Sequence, residues 1–160
     1  HNKIRLAPSM IGILIVTHNN IGQEFINALT PILGKLDALE VVSIDSDDVY
    51  AVCERRVFNG FQEVDSEDGV IILTDLFGGT PSNIAVKLVE AGRVELITGA
   101  NLPMLMRLLR IRETTPLDEA AREAAAAGKR FINLASDILR DGNGKNGLAD
   151  GLANGSTDSE

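Results

Sequence analysis

One stretch near the start of the chain, Ile11-Gly12-Ile13-Leu14-Ile15-Val16-Thr17-His18-Asn19-Asn20, gives the clearest indication of the fold. Its apolar residues would fall on both faces of an extended segment, which is typical of a strand buried in a parallel sheet. Open α/β sheets bind ligands outside the carboxyl ends of their strands, and His18 stands at that position. Histidine accepts and releases groups near neutral pH. His18 is therefore a candidate functional residue, although a histidine that only closes the strand fits the same pattern.

The rest of the chain alternates between short apolar runs and longer amphipathic ones. Further strands are predicted at residues 39–44, 69–74 and 94–98. Helices are predicted at residues 21–33, 47–64 (capped by Ser46), 81–91, 103–112, and from a Thr115 cap to Gly128. Residues 131–139 fit either a helix or a strand. Because parallel strands need crossover helices, the pattern predicts an open, doubly wound α/β fold with a mainly parallel sheet of about four strands.

Composition excludes several classes of function. The net charge is −8 and no Lys/Arg cluster is present, so we expect no nucleic-acid partner. Cys53 is the single cysteine, which rules out an internal disulfide, suits a packing role and favours a cytoplasmic protein. No apolar run reaches the roughly 18 residues of a membrane span, and no signal peptide is visible.

The two ends differ in composition from the middle. Residues 1–9 fit no strand or helix, and we interpret them as a leader added before Met10, the predicted native initiator. Residues 141–160 are rich in Gly, Asn, Asp and Ser, which predicts a disordered polar tail. The folded domain is then predicted at residues 10–140.

The loop after the third strand, Thr74-Asp75-Leu76-Phe77-Gly78-Gly79-Thr80-Pro81-Ser82-Asn83, has the features of an anion site. Gly78 and Gly79 allow positive φ and a close approach of the backbone to a ligand. Thr80 is the expected cap of the following helix, and the hydroxyl groups of Thr80 and Ser82 add donors beside the helix amides. No Gly-Lys-Ser/Thr motif is present, so the loop does not suit a nucleoside triphosphate. A tight turn with an ordinary cap is the alternative.

Asp75 follows a buried strand, at an edge where it can neighbour His18. A carboxylate there would accept the Nδ1 proton of His18 and leave Nε2 as a free nucleophile, although Asp75 as a simple loop cap remains an alternative. We expect no metal, because His18 is the only histidine outside the leader and no paired carboxylates lie near it. These residues predict phosphoryl transfer through a phosphohistidine with no cofactor.

Three segments carry a resemblance to a known family: residues 13–18, residues 74–85, and Thr98-Gly99-Ala100-Asn101-Leu102-Pro103-Met104-Leu105. Together they resemble the enzyme IIA component of the mannose family of the bacterial phosphoenolpyruvate-dependent sugar phosphotransferase system. The resemblance implies that His18 takes phosphate on Nε2 from the phosphocarrier HPr and passes it to a IIB partner for sugar uptake. It also implies that Asp75 orients His18 and that Thr80 and nearby amides hold the phosphoryl oxygens.

The resemblance also implies a homodimer with an exchanged C-terminal strand, for which residues 129–134 are the candidate. We expect the IIB partner on a separate chain, and membrane contact only indirectly through a IIC/IID transporter. The family usually has Gly after the histidine, whereas this chain has Asn19-Asn20. Three alternatives stay open: the phosphotransfer subunit of a dihydroxyacetone kinase, a regulatory phosphoprotein of the phosphotransferase system, and an anion-binding module without chemistry.

Overall fold

A computed structural model describes residues 9–143 and contains one four-stranded sheet. The strands are β1 (Gly12–His18), β2 (Leu39–Ile44), β3 (Val70–Thr74) and β4 (Val94–Thr98). Their order is β2-β1-β3-β4 and every pairing is parallel. This confirms the predicted open α/β fold. His18 is the last residue of β1 and pairs with Ile44, so it ends the strand rather than following it.

Helices cover both faces of the sheet. They are α1 (Ile21–Leu33), α2 (Tyr50–Val64), α3 (Thr80–Ala85), α4 (Leu102–Ile111), α5 (Leu117–Arg130) and α6 (Ala135–Ile138). One face packs against α1, α4 and α5 through an aliphatic cluster that includes Ile15, Leu73 and Leu108. The other packs against α2 and α3 through a second cluster that includes Val16 and Val57. No helix within residues 9–143 is long and apolar enough to cross a membrane.

The predicted start of α2 is wrong. The helix begins at Tyr50 rather than at residue 47, and its N-cap is Val49, not Ser46. The carboxylate of Asp48 accepts a hydrogen bond from the backbone N–H of Asp45 at 2.8 Å, which makes a turn before the helix. The cap-like residues at this strand end therefore form a loop of their own.

The helix after β3 is shorter than predicted. α3 ends at Ala85, and a 3₁₀ turn (Val86–Leu88) follows it. Glu90 then forms an isolated bridge with Val94 at the start of β4. The backbone of residues 86–94 is thus used to turn the chain back toward the sheet.

The predicted end of α5 at Gly128 is also wrong, because the helix continues to Arg130. Its N-cap is Pro116 rather than Thr115. A Cβ on Gly128 would lie 2.9 Å from Met104 Cε, so glycine allows α5 to approach α4 closely. Beyond α5, residues 131–143 contain α6 and a π turn (Leu139–Asn143) but no strand.

The amino edge of the sheet is held by a buried arginine. Arg112 is only 6% exposed, and its guanidinium donates hydrogen bonds to the carbonyls of Ala38, at 3.1 Å, and Asp37. Ala38 has a φ of +50°, and its carbonyl also accepts the N–H of Ile13 at 3.0 Å. Burial lowers the pKa of Arg112. Arg112 therefore fixes the turn that precedes β2.

The predicted leader and tail fall mainly outside the described residues. Residues 1–8 and 144–160 are not described, so the proposed limits of the folded domain at residues 10–140 stay a prediction. Of the predicted tail, residues 141–143 complete the π turn.

Candidate functional site

His18 and Asp75 lie next to each other although they are 57 positions apart in the chain. β1 and β3 are neighbours with Val16 opposite Thr74, so His18 and Asp75 lie close together at the carboxyl edge of the sheet. His18 Nδ1 is 3.0 Å from Asp75 Oδ2, and the backbone N–H of His18 donates to the same carboxylate at 3.3 Å. The side chains are 40% and 13% exposed, respectively. The two predicted residues are thus in contact, with the His18 side chain partly exposed and the Asp75 side chain mostly buried.

The contact with Asp75 selects one tautomer of a neutral imidazole. An ionised carboxylate can only accept, so the proton of neutral His18 resides on Nδ1. Nε2 then carries the free lone pair. The backbone contact to the same carboxylate restrains the ring further. In this arrangement one ring nitrogen is bound to Asp75 and the other, Nε2, lies on a side chain that is 40% exposed.

Gly79 lies directly against that nitrogen. A Cβ on Gly79 would lie 2.7 Å from His18 Nε2 and 2.6 Å from Cε1, closer than van der Waals contact allows. Gly79 has a φ of −96°, whereas Gly78 has a φ of +94°. Glycine is needed at 78 for the backbone and at 79 for the imidazole. The second reason was missed from the sequence, because no local signal reports a contact with residue 18.

Thr80 is the first residue of α3, and Gly79, not Thr80, is the N-cap. The amide of Gly78 donates to Ser82 Oγ at 2.8 Å, and that hydroxyl donates to the Gly79 carbonyl at 3.1 Å. Ser82 is only 3% exposed, so its hydroxyl holds the loop and is not the free donor that the sequence suggested. Within residues 9–143, the Gly79 and Thr80 amides form no hydrogen bond.

A pocket of about 100 Å³ opens beside His18. Thr80 lines it on the α3 side, and the segment that joins β2 to α2 forms the other wall: Ile44, Asp45, Ser46, Asp48 and Tyr50. Ser46 was expected only to cap the following helix, and Asp45 was given no role. Their position after a strand that pairs with β1 was the signal that this segment reaches the site.

The turn after His18 accommodates the unusual Asn19. This residue has a φ of +48°, a left-handed conformation that asparagine adopts more readily than most residues. Its N–H donates to the Ile44 carbonyl at 2.8 Å. The Thr17 hydroxyl donates to the Asn19 carbonyl at 3.3 Å and accepts the Gly22 N–H at 2.9 Å. Asn19 therefore fits where a glycine was expected.

The end of β4 is structural. Asn101 Oδ1 accepts the N–H of Met104 at 3.0 Å and caps α4, while its Nδ2 donates to the Gly128 carbonyl at 2.9 Å. These bonds attach α4 to α5. No group of three or more potential metal ligands occurs in the part of the chain that the structure describes.

Comparison with known proteins places the chain among phosphotransferase-system proteins. The model of the EIIA-man family, described as the PTS system fructose IIA component, matches residues 12–125. The chain is 25% identical over 131 residues to the PTS system fructose-specific EIIA component of Bacillus subtilis (strain 168), and the match covers 81% of this chain and 90% of that protein.

Two further similarities agree. The chain is 28% identical over 126 residues to the PTS system mannose-specific EIIAB component of Escherichia coli (strain K12), which covers 76% of this chain and 38% of that longer protein. Its structure is similar to the PTS IIA protein associated with the fucose utilization operon from Streptococcus pneumoniae. That match has a TM-score of 0.72, 25% identity, and covers 83% of this chain and 99% of the other.

Proposed function

Since the chain belongs to the EIIA-man family of phosphotransferase-system IIA components, which carry phosphoryl groups, we propose that it carries the group on His18 Nε2. The observation that supports this most is the 3.0 Å contact between His18 Nδ1 and Asp75. It leaves Nε2 as the unprotonated nitrogen of the neutral ring, on a side chain that is 40% exposed. A site built only to bind an anion has no need for such an oriented nucleophile.

In the proposed reaction, His18 Nε2 attacks the phosphorus of a phosphohistidine on HPr. The P–N bond to the donor breaks as the P–Nε2 bond forms, and the electron pair returns to the donor imidazole. The Nδ1 proton stays in its hydrogen bond to Asp75, whose negative charge stabilises the positive charge that develops on the ring. In onward transfer a nucleophile of the IIB protein attacks the phosphorus, the P–Nε2 bond breaks, and the electron pair returns to the His18 imidazole, with no cofactor.

The loop between β3 and α3 would hold the phosphoryl oxygens. The missing side chain of Gly79 leaves space beside Nε2, and the amides of Gly79 and Thr80 are available as donors. The Thr80 hydroxyl lines the same pocket as His18. Gly78 and Ser82 contribute by holding the loop in this shape, since their hydrogen bond joins its two ends.

Both partners would be proteins that approach the carboxyl edge of the sheet. We propose HPr as donor and a IIB component on a separate chain as acceptor, which suits a cytoplasmic protein that meets a membrane only through a IIC/IID transporter. The pocket wall carries Asp45 and Asp48, and the net charge is −8. This charge favours the approach of a basic protein surface.

Phosphorylation is tested by incubation with phosphoenolpyruvate, enzyme I and HPr, followed by intact mass measurement at neutral or mildly alkaline pH. We expect an acid-labile gain of about 80 Da for one phosphoryl group. His18→Ala should abolish the gain while the circular dichroism spectrum is retained. His1→Ala is the matched control, because His1 is the only other histidine, and it should be labelled fully. Labelling of His18→Ala, or no labelling of the wild type by active HPr, would refute the proposal.

A homodimer is part of the same proposal. Strand β4 lies at an edge of the sheet, and Ile132 and Leu134 are 75% and 68% exposed after α5. Because exposed apolar side chains and an unpaired edge favour association, we propose that residues 131–134 pair with β4 of a second copy. Lys129 and Arg130, the first two residues of the candidate segment, belong to α5 instead.

Light scattering coupled to size exclusion measures the mass of the assembly directly. The wild type should elute as a dimer, and a variant with both Ile132→Asp and Leu134→Asp as a monomer. Ile32→Asp, at a 65% exposed position on α1, is the control that should leave the dimer intact. A monomeric wild type would contradict the dimer without affecting the proposed chemistry of His18.

A further inference from the structure

The last two residues of β1 have opposite surroundings. His18 is half-exposed at the candidate site, whereas Thr17 is completely buried on the other face of the sheet, beneath the first turn of α1. A buried hydroxyl is unfavourable unless it forms hydrogen bonds. Thr17 forms two, to Gly22 and to Asn19, so its hydroxyl spans the turn that follows His18.

The contact with Gly22 fixes the start of α1. Thr17 Oγ1 accepts the N–H of Gly22 at 2.9 Å. A Cβ on Gly22 would lie 2.8 Å from Ile15 Cγ2 and 3.2 Å from Thr17 Oγ1, so glycine is what allows the helix to come this close to β1. The hydroxyl thus ties the end of the strand to the start of the helix.

The contact with Asn19 acts on the residue directly after His18. Thr17 Oγ1 donates to the Asn19 carbonyl at 3.3 Å, while Asn19 has a φ of +48°. Asparagine adopts this conformation more readily than most residues, but any residue with a Cβ does so at a cost that its surroundings help to offset. The groups that hold Asn19 in this turn are the Thr17 hydroxyl and the Ile44 carbonyl.

We propose that Thr17 is a positioning residue for phosphoryl transfer, because its hydroxyl holds Asn19 left-handed and thereby keeps the His18 imidazole between Asp75 and Gly79. The residues on either side of His18 are joined through this hydroxyl, so the direction of the imidazole depends on it. The role rests on the proposed function of His18, whereas the orientation of the ring can be measured without any transfer.

Thr74 provides a matched control at the end of the neighbouring strand. It directly precedes Asp75, is 0% exposed like Thr17, and its Oγ1 has no hydrogen-bond partner within residues 9–143. Thr17→Val and Thr74→Val therefore remove the same hydroxyl at equally buried sites, and only the first change removes hydrogen bonds. A general effect of a buried Thr→Val change would appear in both variants.

The experiment measures single-turnover phosphorylation by phospho-HPr, at a temperature well below unfolding, together with the ¹⁵N spectrum of the imidazole. For Thr17→Val we expect a rate constant about tenfold lower. The KM for phospho-HPr should be unchanged, because Thr17 does not touch the surface. The fraction of His18 with its proton on Nδ1 should fall. Thr17→Ser, which keeps the hydroxyl, and Thr74→Val should match the wild type in every measurement.

Asn19→Gly separates positioning from a general structural role. When Asn19→Gly is added to Thr17→Val, most of the rate should return, and so should the fraction of His18 with its proton on Nδ1. The reason is that glycine adopts positive φ without support. If Thr17 only stabilised the fold, a change at the exposed Asn19 would not restore the rate of Thr17→Val. A wild-type rate and tautomer in Thr17→Val, or no rescue by Asn19→Gly, would overturn the proposal.

Asn19→Val tests the same idea without touching the core. A β-branched residue strongly disfavours positive φ, so Asn19→Val should lower both the rate and the fraction of His18 with its proton on Nδ1. This test still works if Thr17→Val fails to fold. Unchanged values in Asn19→Val would overturn the proposal. If the wild type accepts no phosphate, the proposed function fails, and the ¹⁵N spectra alone then decide the role of Thr17.

Discussion

Two residues other than glycine, Asn19 and Ala38, have a left-handed backbone within residues 9–143, and they lie at opposite edges of the sheet. Asn19, with a φ of +48°, follows β1 at the carboxyl edge, and Ala38, with a φ of +50°, precedes β2 at the amino edge. Each carbonyl accepts a side-chain hydrogen bond. At Asn19 the donor is the neutral hydroxyl of Thr17, and at Ala38 it is the guanidinium of Arg112.

The difference between the two turns lies in what remains accessible. Arg112 is 6% exposed, and its guanidinium donates to two backbone carbonyls, so this side chain serves to hold the turn at the amino edge. The His18 side chain is 40% exposed, and its Nδ1 is in contact with Asp75. The same backbone conformation thus occurs at Ala38, in a loop held by Arg112, and at Asn19, beside the partly exposed side chain of His18. Changes at the carboxyl edge should affect transfer, and changes at the amino edge should affect stability.

Asp75→Asn should produce the largest effect on transfer. The amide keeps the shape of the carboxylate but can donate to His18 Nδ1, which would move the proton to Nε2 and block the nucleophile. We expect the rate of phosphorylation by phospho-HPr to fall by about 10²- to 10³-fold, with the midpoint of urea unfolding little changed. Asp48→Asn, in the pocket wall, is the control and should change the rate only a few-fold. An unchanged rate in Asp75→Asn would make Asp75 merely structural.

Gly79→Ala should have the next largest effect. Its Cβ would lie 2.7 Å from His18 Nε2, so the ring or the loop must move, and displacement of a reacting group by about 1 Å can cost about 100-fold in rate. Gly78→Ala provides the contrast, because its Cβ meets no atom within 4 Å although its φ of +94° makes alanine strained. We expect Gly78→Ala to reduce stability more than rate. Equal rates for the two variants would contradict a steric role for Gly79.

Arg112→Met tests the amino edge. Methionine keeps much of the apolar stem but leaves the carbonyl of Asp37 without its donor and weakens the support of Ala38. The free energy of unfolding should fall by about 2–3 kcal/mol in urea titrations, while the transfer rate of the folded protein stays at the wild-type value. A loss of transfer at a temperature where the variant is fully folded would show that the two edges are coupled.

Ala38→Gly should have the smallest effect, and in the stabilising direction. Glycine removes the left-handed cost of about 1–2 kcal/mol but adds freedom to the unfolded chain, so the net gain should stay below about 1 kcal/mol. The urea midpoint should therefore rise slightly, and Ala38→Val should lower it. A destabilised Ala38→Gly would mean that the alanine side chain contributes contacts which outweigh its backbone strain.

The strands and the central pair of the site could be predicted from the sequence because both follow from local pattern and topology. Apolar runs define buried strands, and parallel neighbours bring their carboxyl ends together. His18 and Asp75 each stand where such a run ends, so their proximity follows from the β1–β3 pairing. The conformation of Asn19 was likewise predictable, since asparagine tolerates positive φ.

Other features could not be predicted because they depend on tertiary contacts. Ser46 is a residue type that caps helices, yet the Asp48 carboxylate accepts the backbone N–H of Asp45, and the helix begins only at Tyr50. Gly128 has the appearance of a helix end, yet its role is close packing against Met104. The fit of Gly79 against His18 is of the same kind. In each case the residue type indicates what the residue can do, but it does not indicate which distant residue it contacts.

The separation of His18 and Asp75 by 57 positions has a consequence for how the chain matures. β1 lies inside the sheet between β2 and β3, and parallel neighbours cannot form through a local hairpin. During synthesis the imidazole therefore leaves the ribosome well before its carboxylate partner, and a nascent chain that lacks β3 carries an unoriented histidine. The oriented pair therefore forms only when β3 pairs with β1, so the orientation of this imidazole depends on a contact between distant parts of the chain.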